Sequence, residues 1–434
     1  MKILRTLFVT CFVTFFTQPG SSQVSPQFTP LADSFEVSNP NAVQAINIPY
    51  DNIDPQKQLF HLFLPNTNGN YPLVVFIHGG GFTGGNPGTV FKDPARRADV
   101  KYFLDRGYAF ASVGYRLIEA NGPDFDGVIK SLSDAKRALQ FIRHYAEDLH
   151  VDPERVGLKG TSAGAGTGLW IASRSEMANP NDADPVLRES TRVSAVVVGG
   201  SQSTYDIYKW ETTIYDDFDG QGSNFTLDSI ANILTAERLE NFYGERLDSL
   251  YQIVHDPALI QYRQDVDMLY HLSEDDPPMY INSQSGADHP SDDVLHHSLH
   301  GKEIYETALA ANVAEVIAHI PAQSIETTGG ESDNEFLLRH LGNGISTPEI
   351  TLGVEPIPEV TIYPNPASNH FKVNALETKV QKVEVLSLSG TVLIDEVNTS
   401  NLSQVVTSSL PTGVYLVRVE TLNGKTLFRR LVKR

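Results

Sequence analysis

The sequence predicts an α/β domain, built on a mainly parallel sheet with helices on both faces, followed by a small all-β sandwich. Two observations lead to this prediction. From about Val43 onward, short apolar runs typical of buried strands alternate with stretches of helical periodicity. Beyond residue 360, short β-rich runs (residues 382–386, 392–394, 414–419 and 426–432), broken by Asn-Pro, Ser-Gly, Thr-Gly and Asn-Gly turns, replace this alternation. The change of pattern predicts two domains of different architecture.

The strands predicted for the first domain are short runs rich in apolar and β-branched residues. They cover residues 43–50, 58–65, 73–77, 108–115, 156–160, 195–198, 279–281 and 314–321. Helical periodicity is found over residues 93–106 and 131–149, and a further helix is expected over 165–173. Residues 205–274 interrupt the alternation with polar, aromatic and helical segments, so we predict a lid-like insertion that covers or walls the site.

Four segments are predicted along the chain. They are a signal peptide at residues 1–23, the α/β domain at 24–350, a proline-containing linker at 351–359 and the β-sandwich at 360–434. The first segment has a basic start, a short apolar run and an exit of small residues, which is typical of a secretory signal peptide rather than a membrane anchor. It contains the only cysteine, Cys11, so its removal excludes thiol nucleophiles, disulfides and thiolate metal sites. No later segment is apolar over a length that would span a bilayer.

The net charge of −20 is concentrated outside the tail, because residues 355–434 hold nine Lys or Arg and seven Asp or Glu. An acidic surface repels the phosphate backbone of nucleic acids. We therefore expect no nucleic-acid partner, and we interpret most of the acidity as a solvated surface.

Two motifs carry the predicted chemistry. In the first, residues 160–164 read Gly-Thr-Ser-Ala-Gly between a predicted strand and a predicted helix, and Ser162 is held out from the backbone at this sharp turn. In the second, residues 78–82 read His-Gly-Gly-Gly-Phe at the end of the strand over 73–77. Three glycines leave backbone N–H groups uncovered, and such donors can stabilise the oxyanion that forms when an ester is cleaved.

Together with residues 114–116 and 134–138, these motifs resemble the esterase/lipase branch of the α/β-hydrolase family that carries an HGGG loop. The resemblance extends over residues 43 to about 345 and includes secreted carbohydrate-ester and carboxyl-esterase relatives. It implies that Ser162 is the nucleophile. It also implies an oxyanion hole formed by the N–H groups of Gly80, Gly81 and Ala163. His78 precedes the nucleophile in chain order and is expected to shape the loop.

The acid and the histidine of a triad should follow Ser162 in that order. Asp288, just past a glycine after the strand over 279–281, occupies the position at which the family places its acid, and Asp292 and Asp293 are substitutes. The segment after the last predicted strand contains no histidine, and Glu331 stands where one would be expected. We therefore select His297 as the base.

Other histidines remain open for this role. They are His296, next to the selected residue, and His300 and His340 further along the chain. The cluster of His296, His297 and His300 could instead bind a metal with a neighbouring carboxylate, although its spacing is not a strong metal signature. Solvated histidines at a helix start are the plainest interpretation.

The tail contains four short sequence motifs that point to a second family. They are residues 363–367 (Tyr-Pro-Asn-Pro-Ala), 386–390 (Leu-Ser-Leu-Ser-Gly), 410–415 (Leu-Pro-Thr-Gly-Val-Tyr) and the basic end at 428–434. These motifs resemble the type IX secretion C-terminal sorting domain. The resemblance implies a Bacteroidetes-type source, the type IX machinery as a partner, passage across the outer membrane, and removal of the tail with release or attachment to the cell surface. A carbohydrate-binding sandwich is the alternative.

The leading hypothesis is a secreted serine carboxylic-ester hydrolase that forms an acyl-enzyme and needs no cofactor. The expected substrates are acetyl or aromatic esters of polysaccharides, or small soluble esters. Two alternatives remain: a catalytically inactive binding protein on the same fold, suggested by the missing histidine, and a metal-assisted hydrolase that uses the histidine cluster.

Overall fold

The computed structural model describes residues 26–119, 123–216, 218, 225–342, 360–363, 365, 367–375, 380–387, 391–397, 402–422 and 426–434. The chain divides into two compact units, Met1–Pro348 and Glu349–Arg434. The predicted signal peptide at 1–23 and linker at 351–359 lie outside the described residues. The domain limits of 24–350 and 360–434 therefore stay a prediction. In the described part of the chain, no helix combines the length and hydropathy needed to cross a membrane.

One sheet runs through the first unit. Its ten strands are β1 (Thr29–Pro30), β2 (Val43–Pro49), β3 (Leu59–Leu64), β4 (Tyr71–Ile77), β5 (Ala109–Val113), β6 (Val151–Thr161), β7 (Ala195–Gly199), β8 (Met279–Asn282), β9 (Val316–Ile320) and β10 (Ile325–Glu326). Their order across the sheet is β1-β2-β3-β5-β4-β6-β7-β8-β9-β10. The six strands in the order β5-β4-β6-β7-β8-β9 are parallel to one another. The pairs outside this group, β1-β2, β2-β3, β3-β5 and β9-β10, are antiparallel. The prediction of a mainly parallel sheet is confirmed.

Helices cover both faces of this sheet. They are α1 (Thr89–Lys92), α2 (Pro94–Leu104), α3 (Ile129–His144), α4 (Ala163–Ser173), α5 (Leu227–Leu234), α6 (Ala236–Tyr243), α7 (Tyr251–His255), α8 (Pro257–Asp265), α9 (Met268–His271), α10 (Ser298–Ala310) and α11 (Asp333–Leu341). Short 3₁₀ helices lie at Asp33–Phe35, Pro185–Arg188, Pro290–Asp292 and Pro321–Gln323, and Trp210–Ile214 is a π-helix. The insertion predicted at 205–274 contains the π-helix and α5 to α9.

Strand β4 shows how the two faces are buried. Leu73, Val75 and Ile77 belong to one apolar cluster, which also includes residues of α3, α4 and α10. Val74 and Phe76 point the other way, into a second cluster with residues of α2 and α11. All seven residues of β4 are buried, because a central parallel strand has helices on both of its faces.

A buried ion cluster attaches two of those helices to the sheet. The Lys159 ammonium in β6 lies 3.1 Å from a carboxylate oxygen of Asp99 in α2 and 2.9 Å from one of Asp333 in α11. Its Nζ also donates to the side-chain oxygen of Asn334 at 2.6 Å. A buried ammonium needs such partners, because its transfer out of water is otherwise costly. The cluster therefore holds the strand that leads into Ser162 between α2 and α11.

The second unit is all β. Its strands are β11 (Val360–Tyr363), β12 (His370–Ala375), β13 (Val380–Leu386), β14 (Val392–Val397), β15 (Leu402–Val406), β16 (Gly413–Thr421) and β17 (Thr426–Lys433). They form an antiparallel sheet in the order β11-β12-β15 and another in the order β14-β13-β16-β17. One apolar core includes Phe371 and Val373 of the first sheet and Val383 and Val417 of the second. The small sandwich predicted for the tail is confirmed.

Candidate active site

Ser162 lies at a single-residue turn between β6 and α4. The strand ends at Thr161 and the helix begins at Ala163, so the whole change of direction occurs at the serine. Its φ of 55° and ψ of −127° are sparsely populated for a residue with a side chain. A Cβ added at Gly160 would overlap the backbone of Gly164, and one added at Gly164 would overlap the Ile77 carbonyl oxygen. The glycines on both sides are therefore required by close backbone packing.

The triple-glycine loop packs directly against this turn. A Cβ added at Gly79 would lie 2.6 Å from the Thr161 carbonyl oxygen and 3.1 Å from the Ser162 Cβ. Gly80 and Gly81 have φ of 120° and 59°, values that favour glycine. Gly80, Gly81 and Ser162 line one cavity of about 510 Å³. The two predicted motifs are thus in contact, and the serine side chain opens into a cavity.

Backbone N–H groups beside the serine are uncommitted. In the described part of the chain, neither Gly80 nor Gly81 donates any of the backbone hydrogen bonds found outside helices and strands. Ala163 is the first residue of α4, where an N–H group has no partner within the helix. The Gly80 carbonyl oxygen accepts from the N–H groups of Thr83 at 3.2 Å and Gly84 at 3.0 Å, which orients the loop.

His78 lies inside the glycine loop. Its Nδ1 is 2.8 Å from the Gly79 carbonyl oxygen, and its ring stacks on Tyr115 with 4.3 Å between ring centroids. The Tyr115 hydroxyl donates to the His78 carbonyl oxygen at 2.8 Å. Burial lowers the pKa of His78 to about 4, so the ring is neutral near neutral pH. These contacts stabilise the shape of the loop.

A chain of side-chain hydrogen bonds joins Ser162 to a histidine and a carboxylate. The Ser162 Oγ lies 2.9 Å from the His296 Nε2, and the His296 Nδ1 lies 3.1 Å from the Asp293 Oδ1. A neutral imidazole that donates from Nδ1 to a carboxylate presents Nε2 as an acceptor, and that nitrogen can take a serine proton. The order Ser162, Asp293, His296 is also the order expected along the chain.

Acid and histidine come from a single turn between β8 and α10. The backbone N–H of His296 donates to the Asp293 Oδ1 at 3.1 Å, and the Ser285 hydroxyl donates to the other carboxylate oxygen at 2.8 Å. The Gln202 amide donates to the Leu295 carbonyl oxygen at 2.6 Å. The turn is therefore held by a side chain from the start of the same connection and by one from the loop after β7.

His300, in the first turn of α10, also stabilises this turn. Its Nδ1 accepts from the Ser203 N–H at 3.2 Å, and its Nε2 lies 3.1 Å from the Val294 carbonyl oxygen. A nitrogen that accepts from a backbone N–H cannot carry a proton, so the ring is held neutral. Burial lowers the pKa of His300 to about 3, in agreement with this geometry.

The base and acid selected from the sequence, His297 and Asp288, lie elsewhere. His297 caps α10, since its Nδ1 accepts from the Leu299 N–H at 3.3 Å, and its buried ring packs edge-on against Tyr215. Asp288 is exposed. Both residues line a neighbouring cavity of about 550 Å³ that does not include Ser162. The correction has a simple physical reason: adjacent side chains at a helix start point in different directions, and only that of His296 points toward the serine.

The remaining candidates make contacts of other kinds. Asp292 is exposed, and Glu331 pairs with Arg339 at 2.8 Å. His340 pairs with Glu315 at 3.2 Å. The imidazoles of residues 296, 297 and 300 contact different partners, and among the described residues no group of three or more His, Cys, Asp or Glu side chains is arranged to hold a metal ion. The Asp-x-x-His spacing at 293–296 is a sequence feature that could have suggested this pair, but the prediction did not use it.

The predicted insertion forms much of the cavity wall. It contributes aromatic and aliphatic side chains together with one cation: Tyr205, Ile207, Trp210, Leu234, Arg238, Leu239 and Phe242. The Tyr205 hydroxyl donates to the Ala163 carbonyl oxygen at 2.9 Å, which attaches the insertion to the start of α4. The cavity is thus mostly apolar, with polar groups concentrated around the serine.

Comparison with known proteins finds two family matches and several similar hydrolases. Residues 60–230 match the family described as BD-FAE, and residues 361–434 match the family described as Secretion system C-terminal sorting domain. The chain is 36% identical over 96 residues to acetylcholinesterase from Gallus gallus, which covers 22% of this chain and 12% of that protein. It is 27% identical over 162 residues to Lipase 5 from Diutina rugosa, which covers 32% of this chain and 29% of that protein.

The chain therefore spans less than a third of the length of these curated relatives. Among solved structures, it is similar to a truncated form of a carbohydrate esterase from gut microbiota, with a TM-score of 0.47 and 14% identity. That match covers 72% of this chain and 99% of the other. The match over residues 60–230 indicates an α/β-hydrolase esterase domain similar to the BD-FAE family, and the match over residues 361–434 indicates a type IX secretion sorting domain and hence export to the cell surface or secretion.

Proposed function

We propose that this protein is an exported serine carboxylic-ester hydrolase that works through an acyl-enzyme. The observation that carries the proposal is the 2.9 Å hydrogen bond between the Ser162 Oγ and the His296 Nε2, next to uncommitted N–H groups in a cavity. A serine hydroxyl is too weak an acid to react at neutral pH unless a base is within hydrogen-bond reach. In this proposal His296 is that base and Asp293 orients it, in place of the sequence-selected His297 and Asp288.

The reaction follows from these positions. The Ser162 Oγ attacks the ester carbonyl carbon while its proton passes to the His296 Nε2. The tetrahedral intermediate collapses when the imidazolium returns the proton to the departing alcohol, which leaves an acyl group on the serine. Water then attacks the acyl carbon as its proton passes to His296, and the imidazolium returns that proton to the Ser162 Oγ as the bond from this oxygen to the acyl carbon breaks and the carboxylic acid is released. Asp293 stabilises the imidazolium in both halves of the reaction without itself being protonated.

The oxyanion of each tetrahedral intermediate is stabilised by the N–H groups of Gly80, Gly81 and Ala163. Their contribution arises because the donors are held in place before the charge develops, and each such donor is worth about 3 kcal/mol. The strained φ of Ser162 and the glycine packing around it support this assignment, since they hold the serine and the donors at fixed separation.

The proposed substrates are acetyl or aromatic esters of polysaccharides. A mostly apolar cavity of about 510 Å³ has room for an acyl group or an aromatic ring, and Ser162 is partly exposed, so a larger alcohol could extend outside. Export by the type IX machinery, acting on the tail, would bring the hydrolase to extracellular polymers.

Covalent labelling tests the proposal. The full chain is treated with a fluorophosphonate probe, and the labelled peptide is identified by mass spectrometry. We expect label on Ser162 and hydrolysis of 4-nitrophenyl acetate, and we expect neither in Ser162→Ala. Release of acetate from acetylated xylan tests the polymer substrate. An unlabelled wild-type protein that hydrolyses none of these esters would favour the alternative of an inactive binding protein on this fold.

A further inference from the structure

The cavity contains one side chain that ester cleavage does not use. Arg238 of α6 lines it, and among the lining residues that the structure describes it is the only side chain charged at every accessible pH. A Cβ added at Gly81 would lie 2.6 Å from the Arg238 Nη2, so the guanidinium rests on the glycine loop. A permanent cation therefore lies next to one of the oxyanion donors.

This guanidinium has almost no partners. Its Nη2 donates one long hydrogen bond, 3.4 Å, to the Gly81 carbonyl oxygen. In the part of the chain that the structure describes, it forms no ion pair with a carboxylate, although Arg238 also lines a second cavity together with Glu119 and Glu237. A guanidinium presents five N–H donors in a rigid fork, so most of its donors have no protein acceptor among the described residues. Burial alone lowers the pKa of Arg238, which indicates partial loss of solvent without a compensating charge.

The local backbone does not explain the placement of this cation. Arg238 lies in the first turn of α6, where the positive end of the helix dipole disfavours a cation. Thr235, the N-cap residue of α6, has a φ of 73°, which is an outlier for a β-branched residue. The Thr235 Oγ1 accepts from the Arg238 N–H at 3.3 Å. A strained backbone conformation at Thr235 thus precedes the helix that places Arg238 at the cavity. Strained backbone conformations of this kind are found more often at functional sites.

The positive charge of Arg238 contrasts with the negative charge of the whole chain. The net charge is −20, so the long-range field repels anionic ligands. A partly desolvated guanidinium with free donors acts at short range, and its fork matches a carboxylate in a bidentate pair. We infer that Arg238 binds a carboxylate of the substrate, and that the preferred esters carry a free carboxyl group, as O-acylated uronic acids and half-esters of dicarboxylic acids do. This inference rests on the proposed esterase function and narrows its substrate class.

Matched ester pairs test this inference. The first pair, 4-nitrophenyl hydrogen adipate and 4-nitrophenyl methyl adipate, differs only in a charge on the acyl side. The second pair, 4-acetoxybenzoate and its methyl ester, differs only in a charge on the alcohol side. For each pair the ratio of kcat/KM, anion over neutral ester, is measured by release of the phenol. We expect the wild type to prefer the anion in at least one pair by about 10- to 100-fold.

Two variants at this position separate charge from shape. We expect Arg238→Gln to remove the preference, because kcat/KM falls more for the anionic ester of each preferred pair than for its neutral partner. Arg238→Lys should retain part of the preference, since it keeps the charge without the fork. Arg246→Gln is the matched control: it removes one positive charge from the same insertion, at a side chain that is 50% exposed and pairs with Glu240, and it should leave both ratios unchanged.

Several results would overturn the inference. A wild-type protein that hydrolyses both neutral esters without preferring either anion contradicts it and leaves the proposed esterase function intact. If Arg238→Gln lowers kcat/KM equally for the anionic and the neutral ester of a pair, Arg238 supports the glycine loop and does not bind the substrate carboxylate. If the wild type hydrolyses none of the four esters and takes no fluorophosphonate label, the proposed function and this inference fail together.

Discussion

The nucleophile turn and the histidine turn form opposite sides of the candidate site, and different kinds of interaction hold them. Around Ser162 the shape is determined by backbone packing, with Gly79, Gly160 and Gly164 so close to other main-chain atoms that no side chain fits. The turn that carries Asp293 and His296 is partly exposed, and hydrogen bonds from the side chains of Ser285 and Gln202 hold it. Rigid backbone thus positions the proposed reacting oxygen and oxyanion donors, whereas replaceable side chains position the proposed base.

This difference has a consequence for how each half tolerates change. Substitutions in the histidine turn should alter chemistry while the fold survives, because they remove hydrogen bonds at a partly exposed loop. Substitutions in the nucleophile turn should alter the fold itself, because they force backbone segments apart.

The largest effect is expected from the two adjacent histidines. His296→Ala should lower kcat for 4-nitrophenyl acetate by roughly 10⁴-fold or more, since it removes the base. His297→Ala should change kcat by less than about tenfold while lowering the free energy of unfolding by about 1 kcal/mol, because it removes a helix cap. Steady-state kinetics and urea unfolding of both variants provide the measurement. The reverse order of kcat values would return the base to His297.

Replacement of Asp293 should lower kcat far more than replacement of Asp288. Asp293→Ala should lower kcat by roughly 10³- to 10⁴-fold, because the imidazole loses its orienting acceptor. Asp288→Ala should change kcat by no more than about twofold, as expected for an exposed side chain. Equal kinetics of the two variants would contradict the assignment of Asp293.

Two glycines of α4 test the rigidity of the nucleophile turn. Gly164→Ala should lower the free energy of unfolding by about 3 kcal/mol, because its methyl group would overlap the Ile77 carbonyl oxygen. Gly168→Ala should raise it by about 0.5–1 kcal/mol, since its methyl group would lie 3.7 Å from the nearest side-chain atom of Val196 and helix interiors favour alanine. Urea unfolding monitored by circular dichroism measures both. Similar stabilities of the two variants would show that the turn is not held by backbone packing.

The smallest effect concerns acid pH. Burial lowers the pKa of His78 and His61 to about 4 and that of His300 to about 3, whereas unfolded histidine titrates near 6.5. The stability from each neutral ring is complete above about pH 6.5 and is lost as pH falls toward the folded pKa. The loss is about 1.4 kcal/mol per histidine for each pH unit.

Urea unfolding at pH 7, 6 and 5 measures this loss. His300→Gln should be less stable than the wild type at pH 7 yet show a shallower decline toward pH 5, because one titrating ring has been removed. An unchanged slope in His300→Gln, or stability that increases toward pH 5, would contradict the neutral state of that ring in the fold.

Much of the fold was predictable because its signals are local. The apolar runs of the central strands predicted a mainly parallel sheet, and the turn-rich tail predicted a second, all-β unit; the structure confirms both. Strands β11, β12 and β15 were not predicted individually. Two of them, His370–Ala375 and Leu402–Val406, contain several polar residues, so the contrast between strand and loop is weak there.

By itself, the sequence determined the elements whose geometry depends on neighbouring residues: the sharp turn at Ser162, the glycine loop before it and the sorting domain at the end. Only the tertiary structure decided which imidazole meets the serine. The Ser162 and His296 side chains are 134 residues apart, and whether residue 296 or 297 faces the serine depends on where α10 begins and how its cap turns. That orientation results from packing between distant loops, and packing of this kind has no local sequence pattern.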